Sequence, residues 1–231
     1  MLSLWIKKIQ MFRRTNRRKT FIKVIAFLVL SVLTAAFFLK DVNAQVYKAY
    51  KKLSDPEKRW VLRHPVAASK TYKLRDTVEI EVSKCRKNKE LDGDGVGGQL
   101  DAFKHTLWMA LCSQKIGRKK AVSLGKAHED GNRAEFEKYG KKRGDQDSVL
   151  SLMDMLNNEI GAALGEKYPK ISLAEMVDTV KAAVLNGQCY KTKKNSSRRY
   201  LDKDGNIIDT KKYTDVWNVP KIIVKSDYKP D

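Results

Sequence analysis

Three short stretches set polar side chains into otherwise apolar segments: Asp101-Ala-Phe-Lys-His105 with Trp108, then Ala127-His128-Glu129, then Met153-Asp154 followed by Asn157-Asn158. Aspartate, histidine, glutamate and asparagine are costly to bury unless they hydrogen-bond, pair or bind a metal. Several of them in the apolar segments of one small domain make either a demanding polar core or an active site. The candidate catalytic residues are Asp101, His105, His128, Glu129, Asp154 and Asn158. Two imidazoles among carboxylates suit two chemistries. In the first, neutral His105 and His128 with the Asp154 carboxylate hold a divalent metal such as zinc, leaving one position for a water whose pKa the ion lowers. In the second, without a metal, His105 is a general base oriented by Asp101 or Asp154. A buried hydrogen-bonded network that fixes helix register uses the same residue types. Spacing leaves that choice open, because neither an HExxH nor a Cys/His zinc pattern is present.

Helices must position these groups. Spacings of four, three and four put Asp101, His105, Trp108 and Cys112 on one stripe of a helix over 101–116 that ends at Gly117. Phe103, Leu107, Ala110 and Leu111 lie opposite, and only Lys104 and Lys115 carry charge after Ala102, so this helix is expected to be enclosed. A second helix over 118–129 is expected to end around Gly131. On it Leu124 and His128 share a face while Glu129 turns toward Val122 and Gly125, so His128 and Glu129 converge only through a frayed last turn. The charged stretch 132–146 reads as a loop. A third helix over 147–165 has an apolar arc of Val149, Leu152, Met153, Leu156, Ile160 and Leu164. Its opposite stripe is Ser151, Asp154, Asn158, Gly161 and Gly165, small enough for another helix to approach closely, with Asn157 at its margin.

The remaining elements follow from caps and breakers. Ser54-Asp-Pro-Glu57 reads as a helix start with a capping box, and the helix must bend near Pro65. A further helical stretch runs to about Lys87. The glycine-rich segment from Asp92 to Gly98 is a loop. Counting Asp92 as a first calcium ligand puts Phe103 at the twelfth position, which excludes an EF-hand. A looser calcium site stays open there beside the simpler reading, a turn feeding the next helix. Ser172-Leu-Ala-Glu175 is a second capping box, opening a helix to Asn186-Gly187. Residues 199–209 read as a hairpin around Asp204-Gly205. The fold class is therefore mainly α, a compact multi-helix domain with a small C-terminal β-hairpin.

The chain has 231 residues and a formal charge of +20, from 47 Lys and Arg against 27 Asp and Glu. Residues 1–44 hold nine Lys or Arg and one Asp, so the remainder is still basic at 38 against 26. Such a surface suits anionic envelope components, and nothing in the sequence points to specific nucleic-acid recognition. Basic residues through Lys23 are followed by an uncharged run from Val24 to Leu39 and by Val42-Asn43-Ala44. That order predicts a signal peptide or an N-terminal membrane anchor over 1–44. A helical domain over 45–190 and a hairpin with an extended tail over 191–231 complete the organisation. Of the three cysteines, Cys85 and Cys189 can pair if the chain is exported, and Cys112 reads as a small buried apolar residue.

The polar stretches resemble a family of uncharacterised bacterial domains. Its pattern is a Trp and a His-Pro or Asn-Pro in an early helix, then G-D-A-F-[KR]-H-x-x-W-x-A, then A-H-E, then M-D-x-x-N-N-x-x-G. This chain supplies Trp60, His64-Pro65, Asp101 to His105, Trp108, Ala110, Ala127-His128-Glu129, Met153-Asp154, Asn157-Asn158 and Gly161, with Leu100 where the family often has Gly. The resemblance covers about residues 55–165. It implies an exported bacterial protein, sometimes the C-terminal part of toxin-like chains, and supports a functional site without naming a substrate. The expected function is an exported or membrane-anchored hydrolase of an envelope ester or phosphoester, with metal dependence open. The alternatives are a non-enzymatic envelope module with a structural polar network, and a binder of anionic polymers.

Overall fold

The computed structural model describes residues 47–140 and 146–229. It forms two units, Met1–Leu53 and Ser54–Asp231. Of the first, residues 47–53 are described and are helical through 52. The expected export element lies outside the described residues, among which no helix is long and apolar enough to cross a membrane.

The second unit opens with α1 (Asp55–Arg63), α2 (Pro65–Thr71) and α3 (Leu74–Lys87). After the glycine-rich loop come α4 (Gln99–Ile116), α5 (Arg118–Tyr139), α6 (Ser148–Lys167) and α7 (Leu173–Leu185). Strands β1 (Tyr190–Thr192) and β2 (Ile223–Lys225) pair antiparallel, with Tyr190 opposite Lys225. The domain is mainly helical with a small C-terminal β pair, as the sequence pattern implies.

Helix α4 is the axis. Leu100, Phe103, Leu107 and Leu111 on one side pack with Val78 and Val82 of α3 and with Met176, Val180 and Val184 of α7. Met109 and Cys112 on the other side pack with Trp60, Leu124 and Ala162. Each fully buried side chain of this size contributes about 1.5–3 kcal/mol, so enclosure of α4 is a large part of what holds the other helices to it. The α6 stripe faces α4 as its small residues predict. A Cβ at Gly161 or Gly165 would run into the carbonyl oxygens of Thr106 and Ala110. The glycines bring the two backbones together, and the polar half of the same stripe is thereby carried to Asp101 and His105.

Both predicted capping boxes form, Ser54 with Glu57 and Ser172 with Glu175. Helix α5 differs from expectation, continuing through Gly131 to Tyr139, so residues 132–139 are helical and not part of a loop. Gly131 is a contact rather than a stop: a Cβ there would strike Ser54 Oγ at the start of α1. The turn at Asp204-Gly205 forms, but it closes only the bridge between Leu201 and Ile207, while the ladder joins β1 to β2 across a longer connection. The three cysteines are free and buried, which corrects the Cys85–Cys189 pairing. Their sulfurs face different partners, Glu90 for Cys85 and Thr106 for Cys189.

The carboxylates of the Asp92–Gly98 loop bind the loop's own backbone and Lys194. Asp92 accepts the amides of Asp94 and Gln99 at 2.9 and 2.8 Å. Asp94 accepts the Val96 amide at 3.1 Å and takes the Lys194 ammonium at 2.5 Å. The loop feeds α4, as the turn reading expects. Strand β1 ties that loop to α6: Thr192 donates its amide and hydroxyl to Gly97 O, and Asn157 makes two 2.9 Å bonds to the backbone of Tyr190.

Candidate active site

Helices α4, α5 and α6 bring four predicted residues into one enclosed cluster. Asp101, His105, Glu129 and Asp154 are 5%, 4%, 3% and 0% exposed, and Asn158 is buried beside them. His105 Nε2 lies 3.7 Å from Asp101 Oδ1 and 3.4 Å from Asp154 Oδ2. One ligand atom from each of Asp101, His105 and Asp154 falls within 4.8 Å of the other two. Asp101 is held from outside the trio by the Gly97 amide at 2.8 Å and the Lys104 ammonium at 2.6 Å. Asp154 Oδ2 accepts from Gln146 at 3.3 Å. Glu129 joins the edge of the cluster, where its Oε2 accepts from Ser151 at 2.9 Å and Asn132 at 3.1 Å. Its orientation does not depend on a frayed helix end, because α5 continues past it.

Several polar atoms in this dry volume have no hydrogen-bond partner among the described residues: His105 Nδ1, Asp154 Oδ1, Glu129 Oε1 and both side-chain atoms of Asn158. An unpartnered buried polar atom costs roughly 1–3 kcal/mol.

His128 is placed differently from the expectation that made it a metal ligand. Its side chain is 26% exposed, and its Nδ1 sits 2.9 Å from Glu57 Oε1, outside the trio. Asp101 stands in the trio where His128 was expected. The second oxygen of Glu57 accepts the Ser54 amide and hydroxyl at 2.8 Å each, so the capping box also fixes the partner of His128. Trp108 meets His128 edge to face at 5.4 Å. His128 is nevertheless near enough to the cluster for its charge to act on both His105 and Glu129.

Electrostatics sorts the groups. Burial pushes the His105 imidazole down to about 3. Burial, then the charges of Asp101 and Glu129, push Asp154 well above the usual carboxylate range, and Glu129 is raised chiefly by burial. Burial also opposes the charge of Asp101, but His105, Lys104 and the Gly97 amide outweigh it and hold Asp101 low. Glu57 is held low against burial by His128 and Ser54. The shifts thus favour ionisation of Asp101, the neutral form of the His105 imidazole and the protonated form of Asp154. A buried imidazole that resists protonation is a weaker base than an ordinary histidine.

Glu57, Lys104, Ser151, Asn132 and Gln146 were missed as partners of the site. Lys104 sits inside the Asp101–His105 motif and Ser151 on the predicted stripe, so both were visible. Glu57 was legible only as a cap, and Asn132 and Gln146 fell in the stretch read as a loop.

Fold and cluster together define a mainly helical domain organised around a buried Asp–His–Asp group. Residues 58–188 match a family model described as a domain of unknown function, DUF6973, and since the match spans more than half of the chain, the protein belongs to that family. No curated protein and no solved structure matches the chain. The matched region contains all six predicted site residues and stops short of the β1–β2 segment that closes over α6.

Proposed function

We propose that this protein is an exported bacterial hydrolase acting on an ester or phosphoester of the cell envelope. The observation that carries the reading is the set of unpartnered buried atoms on His105, Asp154, Glu129 and Asn158, beside a half-exposed His128 already oriented by a carboxylate. Glu57 on Nδ1 leaves Nε2 as the nitrogen that exchanges a proton. In the reaction, His128 takes a proton from water as the water oxygen bonds to the acyl carbon or phosphorus. The ester bond to the leaving oxygen breaks, and His128 returns the proton to that oxygen.

The test is hydrolysis of a chromogenic acyl ester and of bis(p-nitrophenyl) phosphate by the full chain. Turnover of one class is expected, reduced about 10²- to 10⁴-fold in His128→Ala, the usual worth of general acid–base catalysis. No turnover of either class, or equal turnover in the variant, retires the hydrolase. Export has its own test. Intact-mass measurement on protein recovered from cells is expected to place it outside the cytoplasm, cleaved after Ala44 or held in the membrane by residues 1–44. Uncleaved protein free in the cytoplasm overturns export.

A second reading, a non-enzymatic envelope module, has burial on its side. None of the trio is more than 5% exposed, which suits a group that ties α4 to α6 better than one that meets a large substrate. Binding of anionic polymers rests on the basic surface alone and has no site geometry behind it.

A further inference from the structure

The spacing within the trio is the feature that a protein-only account explains least well. A hydrogen bond from an imidazole N–H brings nitrogen and oxygen to about 2.7–3.2 Å. His105 Nε2 stands at 3.4 Å from Asp154 and 3.7 Å from Asp101, too long for either. One N–H could in any case serve only one of the two. Ligand atoms about 2.0–2.2 Å from a tetrahedral ion lie about 3.3–3.6 Å from each other. The 3.4 Å distance falls inside that range and the 3.7 Å one 0.1 Å beyond it, closer to atoms that share an ion than to atoms that bond to one another.

The surroundings agree. The two oxygens nearest Nε2 are themselves held in place, Asp101 Oδ1 by the Lys104 ammonium and Asp154 Oδ2 by Gln146, while Asp154 Oδ1 is buried without a partner among the described residues. Asn158 lies against His105, close enough for its amide to act on the imidazole and so to orient it. Two buried carboxyl groups share one ammonium, Lys104, whose charge reaches both, and a bound cation would let both ionise.

We propose that Asp101, His105 and Asp154 are the three protein ligands of a first-row divalent transition ion of the zinc type, which leaves its fourth position to water. An imidazole ligand and a small ligand number set this apart from calcium and magnesium, which take six or more oxygens. The assignment deepens the hydrolase reading by giving its water a Lewis acid, yet it stands or falls on binding alone.

The experiment uses the full chain stripped with a chelator and dialysed. Zn²⁺ is titrated by calorimetry, and Co²⁺ is followed by the visible absorption of a four-coordinate centre, with no substrate present. One ion per chain is expected, lost in Asp154→Asn and in His105→Gln, kept in His128→Ala, with no heat from Ca²⁺ or Mg²⁺. Asp154→Asn keeps the size and shape of the side chain, and far-UV circular dichroism checks the fold. If one of the two ligand variants fails to fold, the other decides. Absence of Zn²⁺ and Co²⁺ binding overturns the proposal, as does binding unaffected by the ligand variants or lost in His128→Ala. Ion binding without ester or phosphoester turnover would retire the hydrolase and leave the metal site standing. Turnover by ion-free protein that binds no metal would do the reverse.

Discussion

Lys221→Met is expected to lower the unfolding free energy by about 3–5 kcal/mol, the usual consequence of removing one partner from a buried ion pair. Lys221 Nζ lies 2.6 Å from Asp147 Oδ2, with the two side chains 2% and 0% exposed. The other oxygen of Asp147 caps α6, accepting the amides of Val149 and Leu150 at 3.0 and 3.1 Å. Without the ammonium, this carboxylate keeps its cap and loses its counter-charge in a place water does not reach. Lys221 also stands 3.7 Å over the Tyr200 ring, so Met retains the packing while the charge goes. Urea unfolding followed by circular dichroism measures the difference, and a loss below about 1 kcal/mol would sink the claim. Asp147→Asn in the same chain is expected to restore much of the stability, because an amide still caps and needs no cation. The consequence reaches the site, since Asp147 begins the helix that carries Asp154 two turns later. The C-terminal segment, far from the cluster in sequence, holds that helix in place.

What the sequence made legible was whatever one helix writes by itself. The stripe Asp101, His105 and the stripe Asp154, Asn158, Gly161, Gly165 both point where their periodicity sends them, and glycine in place of a long side chain announced the α4–α6 contact. Both capping boxes are local patterns and formed. Pairings between distant segments left no such trace. Glu57 and His128 are 71 positions apart, and nothing near Glu57 marks it as more than a cap. Lys221 is one of many lysines until α6 is seen to start beneath it. Gly131 was misread because the usual reason for a glycine near a helix end is termination, whereas here it makes room for Ser54. Asn157 and Asn158 look alike in the motif and separate only in three dimensions. The first binds the β1 backbone and the second faces His105. His128 shows the same limit: residue type fitted a metal ligand, and position made it the partner of a carboxylate instead.

The ion-free protein is expected to be most stable on a plateau in mildly acidic solution, with losses on both sides that two variants separate. His105 is depressed in the fold to about 3 from an ordinary value of 6.5, so its contribution is complete above 6.5 and is lost as pH falls through 3. Asp154 is raised above its ordinary 3.8, so its contribution is complete below 3.8 and is lost as pH rises through its folded value. Between these ordinary values the unfolded chain carries one proton, on His105, and the folded chain carries one on Asp154 for as long as the pH stays below the raised pKa of that group. Equal proton counts give no slope. On the alkaline side the unfolded chain has released its proton while the folded cluster still holds one, and stability falls by up to about 1.4 kcal/mol per pH unit. On the acid side the unfolded chain binds two and the folded chain one, and stability falls again. Glu129, raised in the same sense as Asp154, deepens the alkaline loss, and Asp101, held low, deepens the acid one. Asp154→Asn should therefore flatten the alkaline limb and His105→Gln the acid limb in melts across pH 3–9. Wild-type and Asp154→Asn curves that run parallel on the alkaline side would show that Asp154 is not the group holding the proton. Zinc is expected to flatten that limb in the wild type as well, because an ion bound to the Asp154 carboxylate stands where the proton stood.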